Sequence, residues 1–453
     1  MNRPVIDAVS TYAGPAARIA ATPHAGTTEE ADVIWRLLSL GAAGCLLAGT
    51  ATASASAAPG SIWQVVPSQN PEPHLVTNSF FASVSMASGT DGWAVGQFMD
   101  AQALGHPLTE HWAGSAWTRV SAPEPAGKQA SLAGVDELGP ADAWAVGTSA
   151  AGSAGEGNID EAPMIEHWSG SAWHLVKGVS LPSGATGTLN AVGGSGPGDL
   201  WAVGFMLSAD ATQEQVLFEH FNGKTWQQAA FPTQARACDP DASDCFLDPR
   251  AVSATSPDDV WVVGTVLEPN PTANFAAHWN GTAWSVVPAP CLTGEKVTAC
   301  SGEGNDLNEL NGVTAISPTD AWAAGSEGNV NGNNFHVPYV EHWNGTAWSL
   351  VKTPNRGGEG SLLNGVTALS ATDVWAVGQT QQLNGAITPL TEQFNGTTWA
   401  LVPSPAPGSM GRTPDDSLSG AASPGGGLVF AVGARDVPGQ CCLRTLALET
   451  AAG

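Results

Sequence analysis

The sequence predicts an all-β protein, a seven-bladed β-propeller of four-stranded antiparallel blades whose ring is closed by an N-terminal strand completing the last blade. Three observations predict it. A strand-like segment of the type Trp-Ala-Val-Gly recurs seven times, with its aromatic at Trp93, Trp144, Trp201, Trp261, Trp322, Trp375 and Phe430. A second segment follows in six units, as in Glu110-His111-Trp112 or Glu392-Gln393-Phe394, and another Trp always stands five residues beyond it. The seventh unit stops at Leu448-Glu449-Thr450, without a fourth strand. The missing piece lies near the other end, where Gly60-Ser61-Ile62-Trp63-Gln64-Val65-Val66-Pro67 matches Gly281-Thr282-Ala283-Trp284-Ser285-Val286-Val287-Pro288.

Spacings of 51 to 61 residues between the strand-2 aromatics are those of a repeat architecture whose units bury their faces against one another. The sixth unit shows the layout. Leu363 to Leu369 alternates as a first strand, Ala371-Thr372-Asp373 makes a turn, and Val374 to Val377 is a second strand ended by Gly378. Leu390 to Phe394 is the third strand, Asn395-Gly396 a tight hairpin turn, and Thr398 to Val402 a fourth strand stopped by Pro403. Closing the ring with the N-terminal strand leaves no open sheet edge between blades.

Composition agrees. The 453 residues include 54 Gly and 32 Pro, 43% are apolar and only 12% charged. That is a turn-rich chain with a sizeable core, neither a disordered polyelectrolyte nor a helical bundle. With 41 acidic against 15 basic residues, a nucleic-acid-binding face and an anionic-membrane anchor are excluded as expectations.

The order Asp-Val-Trp-Ala-Val-Gly, variable loop, Glu-Gln-Phe-Asn-Gly-Thr-Thr-Trp (residues 373–399) resembles a kelch-type blade of the galactose-oxidase kind, over nearly all of the chain after residue 57. Kelch blades end their second strand on a Gly pair and have a longer turn between strands 3 and 4; this chain has one Gly and a short turn. The copper oxidase chemistry that the resemblance implies needs two Tyr and two His, and beyond residue 57 there is one Tyr, Tyr339. A sialidase Asp-box would need Asp where Phe394 stands. No G-x-S-x-G elbow, Walker loop or H-E-x-x-H occurs.

The segment 33–57 reads as a secretory signal peptide: Arg36, an apolar run from Leu37 to Ala48 and an Ala-Ser-Ala near Ala55. Residues 1–32 read as a disordered extension or a mis-assigned start, and 58–453 as the propeller. The expected product is secreted and monomeric, with no membrane span after processing. Removing Cys45 leaves six cysteines, suited to disulfides in an exported chain: Cys238 and Cys245 in one inter-blade loop, Cys291 and Cys300 in the next, and the adjacent Cys441 and Cys442.

The repeated Asp ahead of strand 2 (Asp91, Asp142, Asp199, Asp259, Asp320, Asp373) reads as a turn residue whose carboxylate accepts backbone N–H groups. His111, His167, His220, His278 and His342 share one position on different blades, so they cannot converge on a metal, and they read as blade-to-blade hydrogen-bonding groups. Two acidic loops are candidate calcium sites: Asp239, Asp241 and Asp244 in one, and Glu303, Asn305, Asp306, Asn308 and Glu309 in the next. No other cofactor is expected.

The long connections gather on one face. The distance from the outer Trp to the next strand-2 Trp is 27 residues from Trp117 to Trp144 but 38 from Trp284 to Trp322. With no catalytic motif found, the expected function is a non-enzymatic propeller that recognises a glycan or an extracellular protein through this face, with Phe98, Phe231, Phe246, Phe335 and Tyr339 as candidate contacts. The alternative is a carbohydrate-active hydrolase or lyase using loop carboxylates near the axis. Clustered Asp or Glu at the central channel favours the alternative. The 17 Trp beyond the signal segment all fall on repeat positions of strands 2, 3 and 4, so they belong to blade packing rather than to sugar stacking.

Overall fold

In a computed structural model the protein is described over residues 62–450, apart from 72–75, 152–159, 211–213, 232–245, 268–272, 294–295, 300–305, 330–335, 355–359, 409–414 and 438–441. The signal segment and the 1–32 extension lie outside these residues. The described residues form seven four-stranded antiparallel sheets. In blade 1 the strands run from the innermost Val76–Ser88 through Asp91–Asp100 and Gly105–Trp112 to the outer Trp117–Val120. In blade 7 the order is Ser417–Gly425, Leu428–Asp436, Leu443–Thr450 and then Trp63–Val65 from the N-terminal side. Trp63 pairs with Thr450 and Val65 with Leu448, which closes the ring as expected. The connection between blades 4 and 5 adds a small hairpin, Pro290–Thr293 with Lys296–Ala299, where a plain loop was expected.

The core lies in the seams between blades. Each strand-2 aromatic packs against the strand-3 and strand-4 aromatics of the next blade, except Trp375, which meets only the strand-4 Trp63 because the third strand of blade 7 has no aromatic. Trp201 meets Trp279 at 5.3 Å and Trp284 at 5.0 Å, the latter edge-on at 89°. Trp261 meets Trp343 and Trp348 in the same way, and Trp322 meets Phe394 and Trp399. Trp375 meets Trp63 across the last seam at 5.3 Å and 86°. Trp201 and Trp261 are essentially inaccessible. An edge-to-face pair adds about 0.5–1.5 kcal/mol beyond the area it buries, and every seam has at least one.

The repeated Asp and His have a different use from the one expected. Strand-2 Trp and strand-3 His stand opposite in register, as Trp201 does to His220, so the imidazole stacks on the indole at 4.4 Å. Its Nε2 lies 2.7 Å from an oxygen of Asp199, two residues before that Trp. The same pairing holds for His111–Asp91, His167–Asp142, His278–Asp259 and His342–Asp320 at 2.7–2.9 Å. These bonds lie within a blade rather than between blades. In blade 6, Gln393 takes the place of the His and donates to Asp373 at 2.9 Å.

Strand 2 also continues through its Gly instead of ending there; in blade 6 it runs Asp373–Gln381. Gly378 lies opposite Leu363, where a Cβ would overlap the carbonyl of Leu362. The glycine permits close approach of two backbones inside the sheet.

Facing the seams, Glu110, Glu166, Glu219, Glu341 and Glu392 on the third strands are fully buried. Glu110 accepts the N–H of Gln69 at 3.1 Å and Glu219 that of Val179 at 2.9 Å. Each donor stands six residues after an outer-strand Trp, at Trp63 and Trp173 respectively. Before Glu166 the corresponding residue is Pro123, which has no N–H to give. Both oxygens of Glu166 lack a hydrogen-bond partner, and burial alone pushes its carboxyl up to about 8. Burial also raises Glu219 and Glu341.

Two outcomes follow from the seams. Trp201→Ala, read by chemical denaturation, is expected to lose about 3–5 kcal/mol; a loss below about 1 kcal/mol would contradict the packing account. For Glu166, a folded-state value near 8 against an ordinary 4.5 means that the fold binds the proton and the unfolded chain does not. That contribution is complete below about pH 4.5 and is lost as pH rises toward about 8. Thermal midpoints at pH 5 and pH 8 should therefore differ less in Glu166→Gln than in the unaltered protein, and the variant should gain at pH 8. Parallel curves for the two proteins would refute this.

Candidate active site

The channel along the axis is built by a repeated irregularity. Each innermost strand carries a β-bulge at the same place, and the extra residues are Ala82, Ala133, Asn190, Arg250, Asn311, Asn364 and Ser419. Each stands eleven positions before its strand-2 aromatic, and all line an axial cavity of about 300 Å³. A bulge bends the strand and re-aims one side chain, so seven bulges present seven side chains to one space.

The asparagines use that placement to link blades. Asn190 Nδ2 donates to the carbonyl of Pro249 at 2.9 Å, Asn311 Nδ2 to that of Leu363 at 2.9 Å, and Asn364 Nδ2 to that of Leu418 at 2.7 Å. Each acceptor immediately precedes the next blade's bulge residue.

Blade 4 has Arg250 at this position, and carboxylates gather around it. Arg250 Nε lies 3.0 Å from Asp248, its NH1 lies 3.0 Å from Glu309, and NH1 also donates to Asn311 Oδ1 at 2.6 Å. Asp248 additionally accepts from Asn190 Nδ2 at 3.0 Å. Asp248 is almost closed off from solvent, whereas the Arg250 and Glu309 side chains are each about one quarter exposed. Asp248 and Glu309 each stand two residues before the bulge residue of their strand, at the end where strand 2 passes to strand 3. Glu214, the first residue of the third strand of blade 3, is paired with Leu207 at that same end.

The group splits its carboxyls electrostatically. Burial, aided by the negative charge of Asp248, pushes Glu214 up to about 7. Burial works against ionisation of Glu309 too, but the Arg250 guanidinium outweighs it and holds that carboxyl below the usual range. Burial raises Asp248 against the opposing pull of Arg250. His336 is lowered by burial and lies close enough to feel the charge of Glu309. Burial thus raises one carboxyl, Glu214, within reach of the charge of Asp248, while the guanidinium lowers another, Glu309; carboxyls displaced in opposite directions are what general acid–base chemistry uses.

The residues singled out from sequence fall as follows. Phe98 stacks on His106 at 5.0 Å and lies under the Arg119 guanidinium at 4.4 Å. Phe231 packs on Phe218 and Trp284. Tyr339 is buried, and its hydroxyl donates to the Glu309 carbonyl at 3.0 Å. Phe246 begins the innermost strand of blade 4, and Phe335 lies outside the described residues. So do Asp239, Asp241, Asp244, Cys238, Cys245, Cys300 and Cys441, and with them the first candidate calcium loop. Cys291 is buried on the added hairpin and Cys442 is half-buried. In the second acidic segment, Glu303 and Asn305 lie outside the described residues. Asp306, Asn308 and Glu309 are on the innermost strand of blade 5, Asp306–Ser317, rather than on a loop, and Glu309 is committed to Arg250.

Arg250, Asp248 and Glu214 were not singled out from sequence. The signal that finds Arg250 is the bulge position itself: Leu-Asn-Gly-Val at 363–366 and Leu-Asn-Ala-Val at 189–192 become Pro-Arg-Ala-Val at 249–252.

No family model and no curated protein matches this chain. Solved structures do resemble it in fold. A protein of unknown function from Dyadobacter fermentans is 11% identical with a TM-score of 0.45, covering 87% of this chain and 100% of its own. The Bombyx mori GH32 β-fructofuranosidase is 10% identical with a TM-score of 0.35 over 83% of this chain and 90% of its own. The Penicillium chrysogenum α-L-arabinanase is 11% identical with a TM-score of 0.37 over 86% and 96%. The expectation of a non-enzymatic binding propeller is corrected on the site itself: Asp248 and Glu309 gather on Arg250, which lines the axial channel, and clustered carboxylates there are what the alternative reading required.

Proposed function

We propose that the chain is an exported carbohydrate-active hydrolase whose chemistry sits at the channel mouth. The observation that carries the reading is the clustering of Asp248 and Glu309 on Arg250 at the channel, where the guanidinium holds Glu309 down while Glu214, which feels the charge of Asp248, is raised to about 7. In glycoside cleavage one carboxylic acid protonates the leaving oxygen while a second, ionised carboxylate activates water or attacks the sugar. Glu214 takes the first role and Glu309 the second. Asp248 and Arg250 are positioning residues: Asp248 anchors the guanidinium, and the guanidinium keeps Glu309 ionised. The polar lining from Asn190, Asn311 and Asn364 suits a substrate rich in hydroxyls. The kelch-type resemblance supports a propeller scaffold of this kind and assigns no residue of the site.

The test is turnover of a panel of polysaccharides and aryl glycosides by the unaltered chain and by Glu214→Gln and Glu309→Gln. Each substitution is expected to lower kcat/KM about 10²–10⁴-fold while leaving the thermal midpoint nearly unchanged. In the unaltered enzyme, activity should rise as Glu309 ionises, below the ordinary carboxylate range, and fall as Glu214 deprotonates near pH 7. Turnover that neither substitution reduces, or no turnover across the panel, would overturn the assignment.

A further inference from the structure

One Asp–His pair differs from the other four. On the short-turn side of the propeller, the Asp91–His111 pair of blade 1 is faced by Glu137 from the innermost strand of blade 2. In the next blade along, the position of Glu137 is Gly194 opposite the Asp142–His167 pair, Ala254 opposite Asp199–His220, Ala315 opposite Asp259–His278, and Ala368 opposite Asp320–His342. A carboxylate has therefore been placed where each of the other four Asp–His pairs faces a glycine or an alanine.

Glu137 is more than nine-tenths buried. Its Oε2 accepts the N–H of Ala87 at 2.9 Å, while its buried Oε1 has no hydrogen-bond partner. One donor atom from each of Asp91, His111 and Glu137 lies within 4.8 Å of the others. His111 Nε2 and Asp91 Oδ1 are 2.7 Å apart, and both side chains retain access to solvent. A buried carboxylate oxygen without a donor is costly.

We propose that Asp91, His111 and Glu137 bind a divalent first-row transition metal, of which zinc is the probe, in a site joining blades 1 and 2. Imidazole and carboxylate donors suit that class of ion, with ligand distances of about 2.0–2.2 Å. The three donors leave the remaining positions to water on the exposed side. The ion would satisfy Glu137 Oε1 and tie two blades through a bond other than aromatic packing.

The experiment is equilibrium dialysis of the chelator-stripped full chain against micromolar zinc, with bound metal counted by mass spectrometry. Four proteins are compared: unaltered, Glu137→Ala, His111→Gln and His220→Gln. Both site variants are compatible with the repeat, since Ala stands at the Glu137 position in blades 4, 5 and 6 and Gln393 replaces the His in blade 6. Glu137→Ala and His111→Gln are each expected to bind one equivalent fewer than the unaltered chain and to lose its zinc-dependent rise in thermal midpoint. His220→Gln, which alters a pair lacking the third carboxylate, should bind as the unaltered chain does. Equal zinc in the unaltered chain and Glu137→Ala, an equal loss in His220→Gln, or no bound zinc in the unaltered chain would overturn the proposal. Either site variant suffices if the other fails to fold.

Discussion

The edge-on meeting of aromatic rings at each blade seam, indole on indole at six and Phe430 on Trp112 and Trp117 at the seventh, is the contact on which the rest of this structure depends. A four-stranded blade cannot bury both of its faces, so its hydrophobic stabilisation comes from its neighbours. Trp201 against Trp284 and Trp375 against Trp63 are instances of one contact repeated around the ring. The last of these joins residues from opposite ends of the chain, so closure uses the same interaction as every other seam. Charged residues are scarce because the seams take up so much surface; the buried third-strand glutamates are the exception. They are tolerated where a backbone N–H of the preceding blade reaches them, as at Glu110 and Glu219, and at Glu166 by keeping the proton.

Within that frame the inner strands are free to differ at one position each. The bulge needs the glycine of strand 2 opposite it, because the bulged backbone comes so close that a Cβ would overlap a carbonyl. Once the bulge is in place its side chain faces the axis, and its identity has little bearing on the seam. Asparagine there serves architecture by bonding the next blade's carbonyl. Arginine there gathers charge instead: its guanidinium meets Asp248 and Glu309 and holds Glu309 below the usual carboxylate range. Blade 2 uses a second inner-strand position in the same way, placing Glu137 against a pair that is otherwise structural.

The fold was legible in the sequence because its cause is periodic. The Trp positions, the Asn-Gly turns and the matching strand at the far end of the chain all repeat, and blade number and ring closure follow from them. Strand limits were less legible: Gly378 looks like a terminator in sequence but stands opposite a bulge in space. The site was hidden for the opposite reason. Arg250 and Asp248 come from one blade and Glu309 from the next, with no local motif, and their meeting depends on the bulge register; Glu214 comes from a third blade and only feels the charge of Asp248. The deviation at 249–252 from Leu-Asn-Gly-Val was visible, but its meaning needed the knowledge that this position faces the axis. The Asp–His pairs were read as two separate roles because their residues are about twenty positions apart, and cross-strand register brings them together.

The proposed chemistry depends on two carboxyls, Glu309 beside Arg250 and Glu214 within reach of the charge of Asp248, being held in opposite states. Carboxyl-carbon NMR of the protein labelled at glutamate, with Glu214→Gln and Glu309→Gln used to assign the resonances, measures those states without any substrate. Glu214 should titrate near pH 7 and Glu309 below the ordinary 4.5, with Glu309 moving upward when Arg250 is replaced by Gln. Coincident midpoints near 4.5, unmoved by loss of Arg250, would contradict it.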